Sequence, residues 1–221
     1  MMGIKPTAGI GMTSARTRER LVQRLRDQGI RNEAVLERIR VVPRHLFVDE
    51  ALATRAYEDD ALPIGFSQTI SQPYVVARMT EALLEHGPRK ILEIGTGCGY
   101  QTTVLSPLVI AIYSIERIAA LLDKTRQRFK ELQLQNVTVR HGDGFKGWAA
   151  HAPYDAIIMA AAPQVMPLTL LDQLSPNGGR LIAPVGPDGR QELVRVTRKG
   201  DELNTERLGL VSFVPMLKGL S

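Results

Sequence analysis

A chain of 221 residues can bury one substantial core but is short for two full domains. Its 44% hydrophobic and 23% charged residues are ordinary for a globular protein and exclude a disordered chain, while no run approaches the roughly 18 apolar residues of a membrane span. The formal net charge of +5 resides entirely in the segment up to Arg55, and the single cysteine, Cys98, excludes an internal disulfide.

Residues 1–12 show no apolar periodicity and read as a disordered tail. They also lack the charged-then-apolar layout of a secretion signal, so a cytoplasmic location is expected. From Ser14 to Gln28, Leu21, Val22 and Leu25 fall at helical spacing, with Gly29 placed to end the helix. Arg16, Arg18, Arg20, Arg24 and Arg26 suit the solvated face of that helix better than a nucleic-acid footprint, so no nucleic-acid partner is expected. Asn32 caps a second helix with Val35, Leu36 and Ile39 on one face, and Pro43 stops it. Residues 61–72, with Pro63, Gly65 and a run of Ser, Gln and Thr, read as an irregular connection of the kind that carries function. Residues 13–72 are therefore expected to form a helical subdomain with an active-site loop, ahead of a main domain over residues 73–221.

Pro73 opens a helix whose apolar stripe is Val75, Val76, Met79 and Leu83. Beyond Lys90 short apolar runs at 91–94, 109–115, 137–141, 154–160 and 180–185 alternate with helical patterns, which predicts parallel strands joined by crossovers. The clearest crossover helix carries Ile118, Leu121, Leu122, Thr125, Phe129 and Leu132 on one face. Two more strands, 192–197 and 207–214, flank a turn at Lys199-Gly200-Asp201. The expected fold is α/β: a doubly wound, mostly parallel seven-stranded Rossmann-like sheet with an N-terminal helical extension.

Leu92-Glu93-Ile94-Gly95-Thr96-Gly97-Cys98-Gly99 places three glycines between a strand and a helix, where a ligand can approach the backbone and meet helix N-terminal amides. The third glycine comes one position too early for the dinucleotide fingerprint, and there is no Gly-Lys-Ser/Thr ending, so NAD and a phosphate-binding P-loop are disfavoured. Glu116 closes the next strand, where an acid can accept hydrogen bonds from both hydroxyls of a ribose. Asp143, in His141-Gly142-Asp143-Gly144, ends the third strand, where it can accept from an adenine amino group or cap the next helix. Acids at successive strand ends beside a glycine loop point to an adenosine-bearing cofactor. Cys98 and the four histidines show no metal-ligand spacing, and no metal is expected.

Over roughly residues 16–217 the chain resembles the bacterial protein-L-isoaspartate O-methyltransferases, a family of class I S-adenosylmethionine-dependent enzymes. The most specific pieces are Val42-Pro43-Arg44-His45-Leu46-Phe47-Val48, Leu62-Pro63-Ile64-Gly65 and Gln68-Thr69-Ile70-Ser71-Gln72-Pro73. To these are added Tyr113-Ser114-Ile115-Glu116-Arg117, Gly142-Asp143-Gly144 and Phe213-Val214-Pro215. The resemblance implies methylation, by S-adenosyl-L-methionine, of the α-carboxyl of L-isoaspartyl and D-aspartyl residues in age-damaged proteins and peptides, acting as a monomer and leaving S-adenosyl-L-homocysteine. It implies Ser71 as the active-site serine. Cofactor contacts would come from Gln68, Thr69, Ile70, Ser71, Gly95, Thr96, Gly97, Gly99, Glu116, Arg117, Asp143 and Gly144, and peptide contacts from Ile64, Gly65, Ser71 and Val214.

From the residues alone, Ser71 reads first as a helix N-cap, and Val214 is as readily an ordinary strand residue as a peptide contact. Cys98 stands where the family more often has serine. Two rivals remain open at this point: a methyltransferase acting on RNA, and an adenosine-binding protein that transfers nothing.

Overall fold

The computed structural model describes residues 11–221. The expected disordered tail lies outside the described residues except for Gly11 and Met12, which with Thr13 form a 3-10 turn. Helix α1, Ala15–Asp27, starts where the Ser14 hydroxyl accepts from the Thr17 amide and ends before Gly29, at φ +101. Helix α2, Glu33–Val41, is capped by the Asn32 side chain, which accepts from the amides of Ala34 and Val35. One expectation fails on α1. Arg18 is 4% exposed, not solvated, because it stands on the same stripe as the buried Leu21, Val22 and Leu25.

Residues 61–72 are not irregular. They form a two-stranded hairpin, β1 (Leu62–Gly65) and β2 (Gln68–Ile70), around the turn Phe66-Ser67. The sequence conceals it because both turn residues have positive φ, +53 and +54, where Asn-Gly or Asp-Gly would be the usual signal. Helix α3, Pro73–Leu84, follows directly. The apolar faces of α1 and α2 share one core cluster with the hairpin, α3 and the start of the next helix, including Phe47, Ile70, Val76 and Tyr100.

The main sheet has seven strands: β3 (Lys90–Ile94), β4 (Ala111–Glu116), β5 (Val137–His141), β6 (Ala156–Met159), β7 (Asn177–Val185), β8 (Gln191–Lys199) and β9 (Glu202–Val211). Their order across the sheet is β5-β4-β3-β6-β7-β8-β9. The first five are parallel and the last two antiparallel, so the mostly parallel expectation holds with β8 and β9 as an antiparallel edge. Helices α4 (Tyr100–Leu105) and α5 (Ala119–Glu131) are the crossovers from β3 to β4 and from β4 to β5, and a short α6 (Leu168–Leu171) follows β6. All four residues of β6 are buried, as a parallel strand covered on both faces requires, whereas β9 is exposed along nearly its whole length and carries charged residues at its free edge.

Candidate active site

The chain leaves β3 in one direction, towards β4 and β5, and returns on its other side with β6. Ligands of such sheets bind beyond the carboxyl ends of the strands at this reversal. Here Gly95 follows β3 and Ala160 follows β6, close enough that a Cβ on Gly95 would lie 3.5 Å from that of Ala160. Both line a cleft that opens to solvent.

The glycine loop forms one wall. At Gly99, φ +84, a Cβ would fall 2.4 Å from the Phe129 ring, so only glycine lets the loop lie flat on α5. Helix α5 also holds the loop carbonyls: the Thr125 hydroxyl donates to Gly97 O (2.6 Å) and Arg128 to Cys98 O (2.9 Å). On the other side of the loop the Gly97 amide donates to Glu116 Oε2 (2.8 Å), while Glu116 Oε1 accepts from the Ile118 amide (3.0 Å). An ionised carboxylate offers about four lone-pair sites. Two are therefore left for donors in the cleft, which Glu116 lines although it is only 5% exposed.

Under the loop lies a buried polar cluster that the sequence reading passed over. Glu93, fully buried, accepts from the hydroxyls of Thr102 (2.6 Å) and Ser114 (2.5 Å) on Oε2, and Ser114 in turn bonds the Thr96 hydroxyl (2.7 Å). Burial pushes the Glu93 carboxyl up to about 7; the two hydroxyl donors oppose this, and nearby Glu116 adds to it. An acid inside a strand pattern, at a position facing the core, was the available signal.

The hairpin forms another wall. Ser71 does not cap α3: the N-cap is Gln72, which contributes no side-chain bond, and the Tyr74 amide is instead taken by Asp59 (2.8 Å). Among the described residues the Ser71 hydroxyl has no hydrogen-bond partner, and the residue lines the cleft. Ile64, Gln68, Thr69 and Ile70 line it beside Ser71, the Gln68 amide donating to the carbonyls of Phe66 and Ser67 in its own turn.

The cleft also takes in Thr96, Gly97, Arg117, Gly144 and Val214 of the expected residues, whereas Gly65, Gly99 and Asp143 stand off its wall. Asp143 is occupied at both oxygens: Oδ1 caps the next turn at the Phe145 amide (2.9 Å) and Oδ2 accepts from the Gly219 amide (3.0 Å). Through that bond and the pairing of Ser221 with Arg117 and Ala119, the tail is laid across the strand ends, bringing Met216 and Leu217 to the cleft. No local sequence pattern could place those two. Ala160 and Ala161 were findable, since they end a strand at the reversal.

A glycine cradle, a buried acid with free lone pairs and an adjoining cleft fit the adenosine and amino-acid parts of S-adenosylmethionine. Among the described residues no three His, Cys, Asp or Glu side chains group as a metal ion would need.

The model of the family Protein-L-isoaspartate(D-aspartate) O-methyltransferase matches residues 16–221. The chain is 60% identical over 213 residues to the protein-L-isoaspartate O-methyltransferase of Halorhodospira halophila and 59% identical over 213 residues to that of Alkalilimnicola ehrlichii, covering 96% of both chains in each pair. A solved protein-L-isoaspartate O-methyltransferase superposes with a TM-score of 0.82 at 27% identity, over 92% of this chain and 67% of that one. A candidate enzyme of the same kind from Plasmodium falciparum, in complex with S-adenosyl-L-homocysteine, shares the fold with a TM-score of 0.78 at 24% identity, over 91% of this chain and 98% of that one. This chain is a member of the protein-L-isoaspartate(D-aspartate) O-methyltransferase family.

Proposed function

We propose that this protein methylates the α-carboxyl of L-isoaspartyl residues, and of D-aspartyl residues, in damaged proteins and peptides, starting their repair through a methyl ester and a succinimide. The observation that carries the reading is Ser71: a hydroxyl without a partner among the described residues, just after the hairpin and lining the same cleft as the glycine loop. Bound S-adenosyl-L-methionine supplies an electrophilic methyl group on a sulfonium.

Gly95, Thr96 and Gly97 would hold the cofactor's amino-acid part, with Gly99 fixing the loop behind them. Glu116, beside Arg117, would take the ribose hydroxyls, and the turn at Asp143 and Gly144 would bound the adenine. Gln68, Thr69, Ile70 and Ser71 would cover cofactor and carboxylate from the hairpin side, and Ile64, Gly65 and Val214 would receive the peptide.

The substrate carboxylate, with an ordinary pKa of about 3.5, is already ionised at neutral pH, so the site needs no general base. Orientation and water exclusion are what remain to be supplied. Ser71 orients the carboxylate by donating a hydrogen bond, and the apolar Ile64, Ile70, Ile94, Ile115 and Val214 keep the wall dry. A dry wall favours the reaction because an anion and a cation lose their charges together.

We also infer a cytoplasmic enzyme acting as a monomer. No helix among the described residues is long and apolar enough to cross a membrane.

The test uses methyl-labelled cofactor and two peptides that differ only in an aspartyl or isoaspartyl linkage. Base-labile label is expected on the isoaspartyl peptide alone. Label on neither, or equal label on both, would overturn the reading.

A further inference from the structure

Isoaspartyl residues arise most readily where asparagine precedes glycine, because a residue without Cβ leaves its amide nitrogen free to reach the preceding side chain. The chain has four asparagines, and only Asn177 is followed by glycine. Asn136 has its side-chain amide bonded to the carbonyls of Ser106 and Val109, and Asn32 is engaged as a cap. Asn177 is exposed, and among the described residues its side-chain amide makes no hydrogen bond. Gly178 has φ +93, and a Cβ there would meet nothing within 4 Å. The β7–β8 pairing is interrupted between Asn177 and Arg180, so Gly178 sits in a bulge and not in a regular ladder.

We propose that Asn177-Gly178 is a damage site of this protein and that its isoaspartyl form is a substrate for a second copy of the same chain, an inference resting on the activity proposed above. The Gly178 nitrogen attacks the Asn177 side-chain carbonyl carbon, ammonia leaves and a succinimide forms. Water opening the ring at its α-carbonyl leaves Gly178 joined through the side-chain carbonyl and frees the α-carboxylate. That carboxylate accepts a methyl group from S-adenosylmethionine, giving the ester and S-adenosylhomocysteine. The Gly178 nitrogen then attacks the ester carbonyl, methanol leaves and the succinimide returns, to be opened by water in part to ordinary aspartate.

The topology makes this an exchange between molecules. Strand β7 runs parallel to β6 and begins at Asn177, so the damage site lies at the amino ends of the parallel strands, whereas the cleft lies at their carboxyl ends. A folded chain cannot bring its own Asn177 to its own Ser71. The two Asp-Gly pairs rank lower. A carboxylate is a poorer target than an amide for the same attack; Asp143-Gly144 is pinned at both oxygens, and a Cβ on Gly144 would fall 2.5 Å from Ile94, leaving only the exposed Asp188-Gly189 open to it.

The experiment ages the purified full-length protein without cofactor at mildly alkaline pH, then adds fresh enzyme and methyl-labelled cofactor and quenches in acid. Aged Asn177→Gln protein and a synthetic isoaspartyl peptide are run in parallel. Mass spectrometry of the aged chain should show deamidation with an isoaspartyl linkage at position 177. Label should enter the aged protein several-fold above the unaged, in proportion to fresh enzyme. It should fall by more than half in the aged Asn177→Gln protein, whose own activity on the peptide stays within a few-fold of wild type. Equal label in both aged proteins, or an intact Asn177 after ageing, would overturn the proposal. A labelled peptide with an unlabelled aged chain would overturn it while leaving the enzymatic reading in place, whereas absence of label on the peptide as well would remove both.

Discussion

Glu116 holds two backbone amides and still presents lone pairs to the cleft, so its removal should be felt first in cofactor binding. Losing hydrogen bonds to a charged acceptor is worth about 1.5–3 kcal/mol. Glu116→Ala should therefore weaken S-adenosyl-L-homocysteine binding by roughly 10- to 100-fold in isothermal calorimetry; unchanged affinity would remove the ribose assignment. Ser71 should separate from it cleanly. Ser71→Ala is expected to lower kcat by roughly 10-fold or more while cofactor affinity stays within a few-fold, since only the orientation of the carboxylate is lost. A parallel loss of both would count against that role.

Glu93 gives a pH dependence of stability. Its carboxyl is raised from the usual 4.5 to about 7, so the folded chain holds that proton more tightly than the unfolded chain does. This contribution is complete below about pH 4.5, declines between there and about pH 7, and is lost above. The Glu93→Gln variant stays neutral throughout and should show a flatter melting temperature between about pH 5 and pH 8, the difference approaching roughly 3 kcal/mol at the alkaline end. Identical pH profiles for the two proteins would mean that Glu93 is ionised in the fold across that range.

At the scale of elements, the caps and stops of α1 and α2 were legible because they are local chemistry: Ser14, Asn32 and Gly29 stand where the sequence places them. The β1–β2 hairpin was not legible. Phe66 and Ser67 both adopt left-handed backbone conformations at a cost of about 1–2 kcal/mol each, which the packing of Leu62 and Ile70 into the core must offset. Ser67→Gly should relieve that strain and raise stability by roughly 0.5–1 kcal/mol in thermal unfolding; a destabilised variant would show that the Ser67 side chain contributes more than its backbone costs. Arg18 was misread for a related reason. Residue type predicts solvent, but its register with Leu21, Val22 and Leu25 predicts burial, and the register prevails.

Across the whole molecule the amino-terminal helices meet α3 through Glu81, which accepts from the amides of Arg31 and Asn32, and through Asp59. Asp59 accepts from the Tyr74 amide at the start of α3 and from the Gln28 side chain at the end of α1. Asp59→Ala should cost about 1–2 kcal/mol, seen as a lower urea midpoint with an unchanged slope. A decreased slope or a second transition would show instead that the helices unfold separately. At the far end of α3, Glu85 takes Arg180 and Arg195, and Arg195 also pairs with Glu206, clamping the helix to β7, β8 and β9.

The sequence by itself determined the alternation of strand and helix, the parallel character of the buried strands, the glycine loop and the acids that end successive strands. Each of these is written in residues close together along the chain, where periodicity, capping and backbone freedom act. Only the tertiary structure decided that the sheet reverses beside β3, that Ser71 lines the same cleft as the glycine loop with its hydroxyl unpartnered among the described residues, and that Met216 and Leu217 reach the cleft. It also gave Asp143 its bonds to the amides of Phe145 and Gly219. These features depend on contacts between residues dozens of positions apart, which are selected by packing and by the need to pair every buried polar group, and no local pattern records them.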